Sequence, residues 1–200
     1  MNRRDLLTAG VILASLGAAA TPAAAQGLEK ASAFVQQTGN NLVAIVNGSQ
    51  AAAEKRRSLA QVLNAAVDVD GIGRFCLGRY WRNATVDQQS RYLTAFHEVL
   101  VSNISSKLGE YRGVKVSVLK GREQEDTAIV TTVVERPNNP PTTVDWVIGQ
   151  PASAPKIVDV LAEGTSLRLT QRQDYAAYLS RNNNDIDALI KAMSQQVGKS

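Results

Sequence analysis

Residues 111–121 read YRGVKVSVLKG, and the spacing of apolar residues changes inside them, at Gly113. On the N-terminal side, Leu93, Phe96, Leu100, Ile104, Leu108 and Tyr111 recur every three or four residues, the period of a helix with one apolar stripe. Beyond Gly113, Val114, Val116 and Val118 alternate, the period of a strand with one apolar face. Three more segments carry that signature: TAIVTTVVER from Thr127, TTVDWVIG from Thr142 and KIVDVLAEG from Lys156. They are rich in Val, Thr and Ile and are separated by turn signals such as NNPP at 138–141. Connections this short join antiparallel neighbours.

Working back from that switch, Thr85 and Gln88 form a capping box, so a helix should run from Thr85 to about Tyr111. Earlier helices are expected over Leu28–Val46, with Gly39 weakening its middle, and over about Ala51–Val67, with Leu59, Val62, Leu63 and Ala66 on one side. Residues 68–81, DVDGIGRFCLGRYW, read as short helical pieces broken by Gly71, Gly73 and Gly78. Two helices close the chain, about Leu169–Arg181 and Ile186–Val197. Helices, then strands, then helices define an α+β class: one domain with a four-stranded antiparallel curved sheet and several helices.

The first residues belong to a different plan. Arg3 and Arg4, an apolar run from Leu6 to Ala20 and then Ala23-Ala24-Ala25 form a secretory leader over residues 1–25, leaving 26–200 as the domain. The Arg3-Arg4 pair also fits a twin-arginine signal. A net charge of +4 without a dense basic stripe argues against nucleic acid and is compatible with transient contact with an anionic membrane surface. Cys76 is the only cysteine, so no intrachain disulfide forms, and in its aromatic surroundings it reads as a small buried hydrophobe. One cysteine and one histidine, His97, do not make a zinc set, and no cofactor motif is present.

Catalytic sets are equally sparse. Asp145 and Asp159 fall on neighbouring expected strands and could form a carboxylate pair, or simply meet cations or water. Glu163 reads as a turn and capping element. What the chain has in surplus is apolar surface: the long helix, the first two helices and a valine-rich sheet face all need covering. A straight helix laid across a twisted sheet diverges from it, leaving either a filled core or a dry cavity suited to an apolar ligand.

Three segments sharpen that choice. LGRYWRNATVDQQSRYLTAFHEVL from Leu77, YRGVKVSVL from Tyr111, and KIVDVLAEGTSLRLTQRQDYAAYL from Lys156, followed by DIDALI, resemble the MlaC family of periplasmic phospholipid-binding proteins, also called toluene-tolerance proteins. The likeness covers about Ala51 to Met193. A relative associated with hopanoid biosynthesis carries a similar pattern. Leu77, Gly78, Trp81, Arg82, Thr85, Phe96, Leu100, Tyr111, Gly113, Asp159, Gly164, Ser166 and Arg172 match it, whereas RNNNDID from Arg181 is richer in asparagine than the family's pattern.

The resemblance implies a cone like that of nuclear-transport-factor-like proteins, with an internal hydrophobic cavity for phospholipid acyl chains and the headgroup outside. It implies no catalytic residue; the residues themselves point to no cofactor and no metal. It also implies a periplasmic shuttle between an outer-membrane lipoprotein complex and an inner-membrane ABC transporter complex. The expected lining is Phe75, Leu77, Tyr80, Trp81, Phe96, Leu100, Ile104, Val116, Val118, Val130, Trp146, Val158 and Val160. Arg79 and Arg82 are expected to meet a headgroup or a partner, and the Asn182–Asn184 loop to move on release. Two alternatives stay open: a hopanoid-associated lipid-binding protein, and a small-molecule enzyme on a similar cone, using Asp145 or Asp159 with His97.

Overall fold

A computed structural model describes residues 22–197. The expected leader lies outside the described residues except for 22–25, the first residues of helix α1. Helices α1 (Pro22–Asn47), α2 (Ala52–Ala66) and α3 (Val69–Leu77) come first, followed by a 3-10 turn at Gly78–Asn83. Then come α4 (Val86–Ser106) and a second 3-10 turn at Leu108–Tyr111. Strands β1 (Lys115–Gln124), β2 (Thr127–Glu135), β3 (Thr142–Gly149), β4 (Lys156–Ala162) and β5 (Thr165–Ser166) lead into α5 (Leu167–Arg181) and α6 (Ile186–Val197).

The strands form an antiparallel meander in the order β1-β2-β3-β4-β5. The sheet thus has five strands where four were expected. The fifth is two residues long, too short for any periodicity. Glu163 and Gly164, both at positive φ (51° and 80°), turn β4 back so that Leu161 pairs with Ser166. Positive φ at both central residues suits the right-handed twist of a two-residue hairpin. Register slips between Val118 and Lys120 in β1, and opposite Val147–Ile148, where Val158 is the extra residue of β4. Such bulges add twist and curl a sheet.

The helix lying on β1 and β2 is α1, not the long helix α4. Two glycines permit the approach: a Cβ on Gly39 would lie 3.3 Å from Val116, and one on Gly121 would lie 2.7 Å from Leu28. The glycine that weakens α1 as a helix is therefore a contact point with the sheet. Ala31 and Val35 of α1 pack with Ala66, Ala128, Val130, Ile148 and Ile157 to form one core.

The second core is helical. It gathers Cys76, Leu77 and Tyr80 with Tyr92, Phe96 and Val99 of α4, Tyr175 and Leu179 of α5, and Leu189 and Met193 of α6. Packing against α6, α2 and α3 holds α4 away from the sheet. The capping box stands at its start: the Thr85 N–H donates to Gln88 Oε1 at 3.0 Å, and the Gln88 N–H donates to Thr85 Oγ1 at 3.2 Å. The helix ends at Ser106 rather than Tyr111, its stripe continuing into the 3-10 turn, a common helix ending.

Candidate functional site

Because α1 lies on one end of the sheet and α4 stands off it, an apolar void opens between them. Its inner lobe, about 680 Å³, is walled by Leu42 of α1, by Leu59, Val62 and Leu63 of α2, by Phe96, Leu100 and Ile104 of α4, and by Trp146, Ile157 and Val160 of the sheet. An outer lobe of about 630 Å³ continues between Val43 and Val46 of α1, Leu108 and Tyr111, and Val114, Val116 and Val134. The lobes share Leu42, Leu59, Asn103, Ile104, Lys107, Tyr111, Trp146 and Leu167, so they adjoin along these side chains. Each lobe has the size of a small-molecule site.

Asp159 and Cys76, at the inner end, are already engaged. Asp159, only 5% exposed, accepts from Ser166 Oγ at 2.6 Å, from the Val160 N–H at 2.8 Å and from the Arg168 N–H at 3.2 Å, and its Oδ2 lies 3.3 Å from Arg168 Nε. The carboxylate thus joins β4 to the start of α5, where the partial positive charge of a helix N-terminus favours it. Cys76 also lines this end, its Sγ donating to the Arg168 carbonyl at 3.5 Å. Burial pushes the thiol up to about 12, so it stays protonated. Asp145 accepts from Thr131 Oγ1 at 2.6 Å on the sheet. Among the described residues no group of three or more His, Cys, Asp or Glu could hold a metal ion.

Of the residues expected to line a cavity, the structure brings together Phe96, Leu100, Ile104, Val116, Trp146 and Val160. The others lie elsewhere. Leu77 and Tyr80 are buried in the helical core, and Phe75 and Trp81 pack against it. Val130 is fully buried under α1, with Val118 packed beside it. Val158 is the bulged residue; it sits by Gly149, whose added Cβ would lie 2.9 Å away, and not beside Val160.

Phe75, Tyr80 and Trp81 instead receive guanidinium groups. Arg168 and Arg172 of α5 stack on Phe75 at 4.6 and 4.9 Å, Arg79 on Tyr80 at 4.9 Å, and Arg74 on Trp81 at 5.3 Å. Gly78 makes this possible: its φ is +59°, and an added Cβ would lie 3.1 Å from Arg172 Nε. The aromatic segment therefore latches α3 to α5 through cation–π contacts. Arg79 and Arg82 are exposed and do not line the cavity.

The asparagine-rich loop is tied to the aromatic segment. Asn183 and Asn184 adopt positive φ (54° and 58°), which asparagine tolerates, and Asn184 Oδ1 accepts from the Tyr80 hydroxyl at 3.0 Å. Leu42, Leu59, Val62 and Leu63 line the cavity beyond the residues expected to do so. Their signal was the apolar stripe of the first two helices.

A sequence pattern described as MlaC protein matches residues 36–195. The chain belongs to the MlaC family. Within reach of that family, the toluene tolerance protein ttg2D of Pseudomonas putida is 26% identical over 145 residues, covering 71% of this chain and 67% of that protein. The phospholipid-binding protein from Ralstonia solanacearum, solved in complex with a phospholipid, superposes with a TM-score of 0.72. That match spans 84% of this chain and 97% of the other at 19% identity, a likeness of fold. The α+β architecture with an antiparallel sheet is the one expected of an MlaC-like chain.

Proposed function

We propose that this MlaC-family protein is a periplasmic lipid carrier. It holds phospholipid acyl chains in the two-lobed cavity and passes lipid between an inner-membrane ABC transporter complex and an outer-membrane lipoprotein complex. The observation that carries this reading is the pair of adjoining apolar lobes between α1, α2, α4 and the sheet. Burying hydrocarbon contributes about 0.8 kcal/mol per CH2, so tails alone supply the affinity without any chemistry. The family relationship and the phospholipid in the Ralstonia relative support the same cargo. No helix among the described residues is long and apolar enough to cross a membrane. Exposed Arg79 and Arg82 are available to an acidic partner surface.

A hopanoid would use the same cavity. Native mass spectrometry of the protein purified from the periplasm, followed by solvent extraction, separates the two. A stoichiometric two-tailed phospholipid is expected. A hopanoid would keep the carrier and change the cargo. A clean apo mass, with no uptake from vesicles, would remove the carrier reading.

A further inference from the structure

Beside the outer lobe lies a third cleft of about 500 Å³, joined to it through Val46, Ser106 and Leu108. Its character is different. Lys55, Arg56 and Arg112 line it, and no acidic residue does. Glu54 stands in the first turn of α2 and Glu110 two positions before Arg112, but neither faces the cleft. Among the described residues no carboxylate lies within 4.0 Å of the three cations. Lys55 Nζ donates to the Val46 carbonyl at 2.8 Å, which leaves two of its N–H groups for another acceptor.

Two further observations concern the wall of this cleft. Helix α2 begins in its wall with Ala51 as the N-cap residue, so no side chain caps the N-terminal N–H groups. Across from it, on successive turns of α4, Ser102 and Ser105 line the cleft, and their hydroxyls, buried in its wall, have no hydrogen-bond partner among the described residues. Ser102 is only 1% exposed. Orphaned buried hydroxyls are rare because each forfeits the hydrogen bonds it had in water. Serine O–H groups, open helix N–H groups and unpaired guanidiniums are all donors, and together they suit one kind of acceptor, a tetrahedral oxyanion.

We propose that this cleft binds a phosphate group, and that its source is the phosphodiester of the lipid whose tails occupy the adjoining cavity. The inference rests on the carrier reading for that source. The headgroup would then be gripped by Ser102, Ser105, Arg56, Arg112 and the start of α2 rather than left in solvent.

The test compares the wild type with an Arg56→Gln/Arg112→Gln double variant and with Ser102→Ala. Three probes are titrated: fluorescent phosphatidylcholine in neutral vesicles, diacylglycerol with the same chains, and inorganic phosphate followed by phosphorus NMR. Neutral vesicles keep surface charge out of the comparison. We expect phosphatidylcholine affinity to fall roughly tenfold or more in the double variant, with diacylglycerol affinity unchanged. Ser102→Ala should weaken phosphatidylcholine roughly threefold to tenfold while its Tm stays level or rises, a combination that a merely structural serine does not give. Equal phosphatidylcholine affinity in all three proteins overturns the proposal and leaves the carrier intact. Saturable inorganic phosphate binding, lost in the variants while phosphatidylcholine is unaffected, overturns the lipid source and identifies a free-phosphate site. If the wild type takes up neither lipid, the carrier reading fails, and the lipid source with it.

Discussion

The indole N–H of Trp146 donates to Oγ1 of Thr132 at 2.9 Å, across the β2–β3 ladder. That bond sets the plane of a ring that borders both lobes of the cavity. The chain's other tryptophan, Trp81, packs on the helical core. Lipid loading should therefore change the emission of Trp146 and leave that of Trp81 alone. Titrating Trp81→Phe and Trp146→Phe with phospholipid vesicles checks this. A spectral shift that survives in Trp146→Phe contradicts the placement.

Ile104 lies where the two lobes meet. A bulky side chain there fills space that is otherwise open, so Ile104→Trp should fold and lose most of its lipid capacity. Val130→Trp serves as the contrast. Val130 is fully buried in the α1–sheet core, and overpacking it should destabilise the protein by roughly 1–3 kcal/mol. Urea unfolding and vesicle uptake, measured on both variants, distinguish blocked space from a broken core.

Asp159 and Ser166 share one network with Arg168. Ser166 caps α5 by accepting from the Leu169 N–H at 3.1 Å, while its own hydroxyl donates to Asp159. Ser166→Ala should lose about 1 kcal/mol of stability. Asp159→Asn should lose roughly 1–3 kcal/mol, because it also leaves Arg168 without its carboxylate. The double variant should fall short of the sum, since both changes dismantle the same contacts. Strict additivity in denaturant titrations would show two independent sites.

Burial raises the Cys76 thiol from 9.0 to about 12; Arg168 and Arg172 oppose that shift, and Asp159 adds to it. The folded thiol then holds its proton to higher pH than the unfolded one. Its contribution to stability is complete below about pH 9 and is lost as pH climbs towards about 12. Tyr92 and Tyr175 are raised by burial in the same sense. Iodoacetamide near neutral pH should spare Cys76 in the native protein and modify it in urea. Rapid alkylation of the native state would contradict a dry, protonated thiol.

The period change at Gly113, the capping box at Thr85 and the apolar stripes placed the four longer strands and the start of α4 closely, whereas α4 ends five residues before the expected Tyr111 and α1 begins six residues before the expected Leu28. Elements escaped where periodicity has nothing to count. Strand β5 is two residues long, and the shift of Val158 away from Val160 comes from a bulge that leaves alternation in the sequence unbroken. The cavity wall was legible where a stripe pointed inward, at Phe96, Leu100 and Ile104. It was misread at Phe75 to Trp81, because an aromatic cluster has the same composition whether it lines a void or stacks under arginines. Which helix lies on the sheet depended on Gly39 and Gly121, whose absent side chains matter only once the two surfaces meet.

The two lobes meeting at Ile104 and Trp146 also bear on selection among lipids. On the carrier reading, each lobe would take one chain of a diacyl lipid. A lysophospholipid would then fill one lobe and leave hydrocarbon walls facing each other across the second. Its binding would lack about 0.8 kcal/mol for each methylene of the missing chain. On that reading the cavity would count tails, retaining intact membrane lipids and releasing their single-chain breakdown products.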